Sequence, residues 1–136
     1  MATKQFTIEG DPVGAPRMTR SDRWRKRPCV MRYFAFRDRA RKSAGELPPV
    51  ESITHFEIIA YFSPPVSWPR KKREAAIGKP HRTRPDADNI LKAAGDALFP
   101  EDSGLHAVTA SKYWDTVERV EVFIEYQETK GGATNG

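Results

Sequence analysis

Polar and apolar residues alternate in four stretches of the chain and recur at helical spacing in two more. Residues 5–9 put Phe6 and Ile8 on one side and predict a short strand. The alternation is clearest over 53–62, where Phe56, Ile58, Ala60 and Phe62 share one face and His55, Glu57 and Tyr61 take the other. Residues 107–114 and 118–126 predict a final pair of strands, the second alternating through Val120, Val122, Ile124 and Tyr126. Residues 31–44 lack Gly and Pro and repeat Phe34, Arg37 and Arg41 at helical spacing, which predicts a basic helix stopped by Pro48 and Pro49. Residues 70–77 have room for one or two helical turns before Gly78 and Pro80. Beyond Asp88, a stripe of Ile90, Leu91, Ala94, Ala97 and Leu98 opposes Asp88, Asn89, Lys92 and Asp96, the signature of an amphipathic helix.

Strands in runs with helices between them point to an α+β fold: a single compact domain with a mixed β-sheet and a few flanking helices. The length, 136 residues, suits one modest core, and 38% hydrophobic residues suffice to build it. The domain is expected over 1–128, with 129–136 as a flexible tail. No apolar run approaches the ~18 residues of a membrane helix, and the N-terminus shows no basic segment followed by an apolar one. Cys29 is the single cysteine, so no internal disulfide can form, which fits a reducing cytoplasm.

Charge changes the picture through its distribution. Residues 17–42 hold 11 Lys and Arg against two acids, and residues 70–84 hold seven against Glu74 alone. These blocks carry 18 of the 23 bases, so the remainder of a chain with net charge +5 is acidic. Two basic blocks on an acidic domain point first to nucleic acid, the alternatives being a plain solvated basic surface or an acidic protein or lipid partner. The candidate phosphate contacts are Arg17, Arg20, Arg25, Lys26 and Arg27 in the first block. In the second they are Lys71, Lys72, Arg73, Lys79, His81, Arg82 and Arg84. Trp24 and Trp68 lie in or beside these blocks and can either stack on bases or pack in the core. The other histidines, His55 and His106, have no metal-ligand spacing, and Cys29 has no partner for nucleophilic chemistry.

The candidate chemistry sits between 79 and 102, KPHRTRPDADNILKAAGDALFPED. Pro85 biases Arg84 toward extended geometry, and an extended chain would point Asp86 and Asp88 to one side. Asp88 or its neighbour can cap the helix that follows. That helix is only ~15 Å long, so a returning chain can bring Asp102 beside the first two carboxylates. Carboxylates 4 Å apart repel by about 4 kcal/mol at an effective dielectric near 20. A divalent cation reverses that sign, and Mg²⁺ characteristically takes one or two carboxylates, waters and a phosphate. Lys92, one turn on, can orient water or neutralise charge developing on a phosphate. The same residues also fit a plain arrangement in which Asp86 and Asp88 cap a turn and a helix, and Lys92 and Asp96 form a surface ion pair.

In this segment and its flanks the chain resembles the RusA family of Holliday junction resolvases, in particular its phage-type branch. The likeness runs from about Phe6 to Tyr126 and is strongest over 67–112. Its motifs are Pro12-Val13-Gly14 with Pro16-Arg17, Ser67-Trp68 with Lys71-Lys72-Arg73, and Gly78-Lys79-Pro80-His81. Most specific is Pro85-Asp86-x-Asp88-Asn89-x-x-Lys92, then Asp96-Ala97-Leu98 and Glu101-Asp102. The resemblance implies a Mg²⁺-dependent crossover junction endodeoxyribonuclease, with Mn²⁺ as the alternative ion. It would act as a homodimer that binds four-way DNA junctions and nicks two strands symmetrically, in the cytoplasm of a bacterium or phage-infected cell. It implies Asp86, Asp88 and Asp102 as catalytic metal ligands and Lys92 as the essential lysine. Glu101 stands where the family usually has Asp, and Ser103-Gly104 replaces a small residue and Gln. The rival function is a non-catalytic, structure-selective DNA-binding protein, and a third is a basic adaptor for protein partners.

Overall fold

The computed structural model describes residues 1–17, 27–99 and 104–128. The expected tail 129–136 lies outside them, as do Arg20, Trp24, Arg25, Lys26, Glu101, Asp102 and Ser103. Strands β1 (Ala2–Glu9), β2 (Ile53–Phe62), β3 (Val108–Trp114) and β4 (Arg119–Tyr126) form one sheet in the order β1-β4-β2-β3. Helices α1 (Pro28–Ala44), α2 (Arg70–Ala76) and α3 (Ala87–Leu98) complete a compact α+β domain. No helix among the described residues is long and apolar enough to cross a membrane.

β4 lies between β1 and β2 and is antiparallel to both, while β3 runs parallel to β2 at one edge. The mixed sheet follows from the connections, since parallel neighbours need a long crossover and α2 and α3 supply it. The last two strands, expected as a pair, are therefore not neighbours. β2 separates them, and residues 115–118 pass over its end, where the Asp115 amide donates to the Phe62 carbonyl at 2.8 Å. β2 vacates that end because Pro64 and Pro65, lacking N–H donors, cannot continue the ladder.

One face of the sheet builds the core. Phe56, Ile58 and Ala60 of β2, with Val120, Val122 and Ile124 of β4, are fully buried there beneath α1 and α3. α1 does not bury the stripe that Phe34, Arg37 and Arg41 marked. Its inner positions are Val30, Phe36, Ala40 and Ala44, and Phe34 instead carries the Arg37 guanidinium over its ring at 4.7 Å. α3 buries Ile90, Ala94, Ala97 and Leu98 as expected and adds Ala93, while Leu91 is only half-buried. Its C-terminal neighbour Phe99 meets Phe56 edge-on, with centroids 5.7 Å apart.

Candidate active site

The site is built along the outer edge of β3. Gly78, with φ +86, turns the chain after α2 and donates to the Trp114 carbonyl at 2.9 Å. Trp114 in turn donates to Lys79 at 2.9 Å, Pro80 bridges Tyr113 in antiparallel sense, and the His81 amide donates to Lys112 at 3.0 Å. Pro80 has no N–H to offer, which suits a segment with its far side toward solvent. Residues 78–81 thus cover the β3 edge and deliver 82–86 to the start of α3. From the other side comes the loop at 13–15. The Ala15 amide donates to the Asn89 carbonyl at 3.1 Å, and a Cβ on Gly14 would stand 3.1 Å from that of Pro85.

Asp86 is the N-cap of α3, in extended conformation (φ −69, ψ 150), and its backbone carbonyl accepts from the Asn89 and Ile90 amides. Its carboxylate makes no capping hydrogen bond. Asp88 is already the second residue of the helix. The two carboxylates are therefore not alternate members of an extended strand, the arrangement expected from Pro85, because helical geometry begins at Ala87. Both stand exposed at the first turn, negative charge at the positive end of the helix dipole.

Lys92, one turn on, donates to Asp96 at 2.9 Å, and this bond with the Asp96 charge pushes the ammonium pKa up. The surface ion pair of the plain arrangement therefore exists. Both side chains are at least half exposed (64% and 50%), and such i,i+4 pairs contribute only about 0.3–0.5 kcal/mol. It does not immobilise Lys92. The neighbouring Tyr33 phenol is raised above its ordinary pKa, first by burial and then by Asp96.

The basic residues divide by what they touch. Among the described residues, Lys71 is exposed on α2, and Lys79, Arg82 and Arg84 are exposed in the segment leading to Asp86. Arg17 is exposed at the end of the 13–17 loop, and its carbonyl accepts from the Arg27 guanidinium at 2.8 Å. Lys72 lies over the Trp68 ring at 4.1 Å, and Arg73 donates to the Trp68 carbonyl at 3.2 Å. Trp68 itself packs on Trp114. His81 has the opposite fate from its neighbours. It is 5% exposed, stacked on Phe62 at 3.9 Å and tilted against Trp114 at 4.3 Å. A ring so enclosed packs between Phe62 and Trp114, unlike the exposed cations on either side of it. Burial, with the Lys112 charge second, holds its pKa below the ordinary value.

Lys112 is a member of the site that the sequence patterns did not single out. It shares the inward side of β3 with Ala110 and Trp114, both packed against the core. Its Nζ donates to the carbonyls of Thr83 at 2.6 Å and Pro85 at 2.8 Å. The available signal was a lysine where alternation calls for an apolar residue.

Among the described residues no three His, Cys, Asp or Glu side chains are grouped to hold a metal ion. Asp86 and Asp88 nonetheless fit a hard, oxygen-seeking cation: both are exposed, and the Asp86 carboxylate is not spent as a cap. Mg²⁺ asks for one or two such ligands and keeps waters for the rest.

Among curated proteins, none matches the chain. The family model described as endodeoxyribonuclease RusA does, over residues 9–125, a span that takes in the 13–17 loop, the covered β3 edge and the whole of α3. With most of its length matched, and with the site's elements inside the match, the chain belongs to the RusA family of endodeoxyribonucleases.

Proposed function

We propose that this chain resolves four-way DNA junctions by paired symmetric nicks, with Asp86, Asp88 and Asp102 holding Mg²⁺ and Lys92 assisting. The observation that carries this reading is a pair of unspent carboxylates at the head of α3, approached by exposed cations, in a member of an endodeoxyribonuclease family. Carboxylates alone would repel a DNA backbone. Arg82, Arg84, Lys79 and Arg17 offset that repulsion and hold phosphate near them.

Bound Mg²⁺ would supply a Lewis acid at the scissile phosphate. Asp86 and Asp88 hold it, and their place on a helix that buries Ile90, Ala93 and Ala94 makes the holding rigid. Lys92 exchanges Asp96 for the reacting phosphate or its attacking water, at the small cost of a surface ion pair. Asp102 enters on the family pattern and on reach. α3 is 12 residues long, about 18 Å, and the three residues from Phe99 to Asp102 span at most about 11 Å. With side chains added, that allows a shared ion. Two symmetric nicks need two such sites, hence a homodimer.

The test is a synthetic four-way junction incubated with the protein in Mg²⁺ or in EDTA. Paired nicks are expected with Mg²⁺ and none with EDTA. Asp88→Asn is expected to bind the junction as wild type does and to cleave at least about 100-fold more slowly. Cleavage by this variant at the wild-type rate overturns the ligand assignment, and a wild type that nicks no branched DNA leaves a binding module only.

A further inference from the structure

We propose that Lys112 is a positioning residue of this site: its ammonium clamps the Thr83 and Pro85 carbonyls and thereby sets the head of α3, with Asp86 as the group positioned. The functional half of this inference rests on the endonuclease reading. The clamp itself rests on geometry.

A lysine ammonium has three donors and no acceptor. Two of them are committed, at 2.6 and 2.8 Å, to carbonyls in the four-residue stretch ending at Asp86. The next residue in the chain is the first of α3. The ammonium also stands close enough to Asp86 for that carboxylate to raise its pKa, against a larger lowering by burial. Lys112 therefore joins the sheet to a segment of the site with few other ties among the described residues. Arg82, Thr83 and Arg84 are all exposed. Among the described residues the other ties of this stretch are the contact of Thr83 Oγ1 with His81 Nε2 at 3.3 Å and, from within α3, the Asn89 and Ile90 amides on the Asp86 carbonyl.

Two simpler roles fit less well. An inward-pointing charge on an edge strand can protect the edge from pairing with another chain. Here residues 78–81 already cover the β3 edge with three backbone hydrogen bonds, so that protection is redundant. A direct phosphate contact needs a free, exposed ammonium, and this one is half-buried and bonded to protein carbonyls. What remains is alignment. The site's carboxylates must lie within a fraction of an ångström of productive geometry, and a 1 Å misplacement costs about 100-fold in rate.

The experiment compares the full chain with Lys112→Met, which keeps the stem and removes the donors, and Lys112→Arg, which restores donors. Three quantities are read: amide hydrogen exchange in metal-free protein, junction affinity in EDTA, and single-turnover cleavage at saturating Mg²⁺. Lys112→Met is expected to speed exchange of the Asn89 and Ile90 amides, which donate to the Asp86 carbonyl, about tenfold while β2 and β4 stay protected. Junction affinity should stay within about threefold, and cleavage should fall about 100-fold without recovery at higher Mg²⁺. Lys112→Arg should regain part of both the protection and the rate. Unchanged exchange at Asn89 and Ile90 overturns the clamp. Faster exchange with unchanged cleavage overturns its functional role, leaving a purely structural tie. Should Lys112→Met fail to fold, the wild-type ammonium resonance decides: a slowly exchanging, hydrogen-bonded Lys112 signal supports the clamp, and a freely exchanging one overturns it. If wild type cuts no branched DNA, the endonuclease reading falls while the exchange measurement still judges the clamp.

Discussion

His81 is the residue whose environment differs most from what its neighbours promise. It sits in a run of cations, yet its ring lies between Phe62 and Trp114 with Nδ1 buried and without a hydrogen-bond partner among the described residues. Burial and then the Lys112 charge hold the folded imidazole's pKa below the ordinary value of 6.5. The sign follows from proton counting. As pH falls through that ordinary value, the unfolded chain takes up a proton that the folded one refuses, so stability drops. The loss continues until the depressed folded pKa is reached. His81→Phe keeps an aromatic ring there and removes the titration. Urea unfolding at a series of pH values is expected to show the variant gaining on wild type as pH falls below neutrality. Parallel stability curves for the two proteins would show that His81 is not the group responsible. The same burial was not legible in the sequence. A histidine among lysines and arginines reads as a surface cation, and only the fold of 78–81 against β3 turns it inward.

At the scale of elements, α3 matters most, and its inner face is small. Ala93, Ala94 and Ala97 are at most 1% exposed, so this helix approaches the sheet with little side chain between. A larger residue there has nowhere to go. Ala93→Leu is expected to destabilise by about 1–3 kcal/mol, seen as a lower urea midpoint at unchanged slope, and an unchanged midpoint would mean the helix can retreat. The stripe that predicted this helix was legible because a period of 3.6 is local information, and β2 was legible from its period of 2 for the same reason. The order β1-β4-β2-β3 was not, because alternation shows which side of a strand is apolar and nothing about its neighbours. The head of α3 was misjudged for a different reason. Pro85 constrains the residue before it, not those after it, so its extended bias gives no warrant for an extended Asp88. Identity and order of the acidic residues were thus visible in sequence while their geometry was not. Lys112 was visible only as an exception to a pattern.

Across the whole molecule, among the described residues, the α1 arginines of the first basic block are unlike the cations at 79–84 of the second. In the first, Arg39 donates to the Glu9 carbonyl at 2.7 Å and the Asp11 carbonyl at 3.1 Å, Arg32 pairs with Asp11 at 3.1 Å, and Arg41 donates to Ala97 at 2.9 Å. These guanidinium groups fasten α1 to the end of β1 and to α3. In the second block, Lys79, Arg82 and Arg84 have no such partners among the described residues and lead directly to Asp86. Formal charge treats these two sets of cations alike, and the bonds do not. Binding to duplex arms should therefore respond to them differently. Every DNA phosphate that the protein ceases to neutralise lowers the slope of log affinity against log salt by about 0.9. Lys79→Gln with Arg82→Gln is expected to reduce that slope by nearly twice this amount and to leave unfolding stability within about 0.5 kcal/mol. Arg39→Gln is expected to do the reverse, costing about 0.5–1.5 kcal/mol of stability through its lost hydrogen bonds with the salt slope unchanged. If Arg39→Gln flattens the salt dependence as much as the double variant does, α1 itself lies on the DNA, and its arginines grip phosphate as well as the fold.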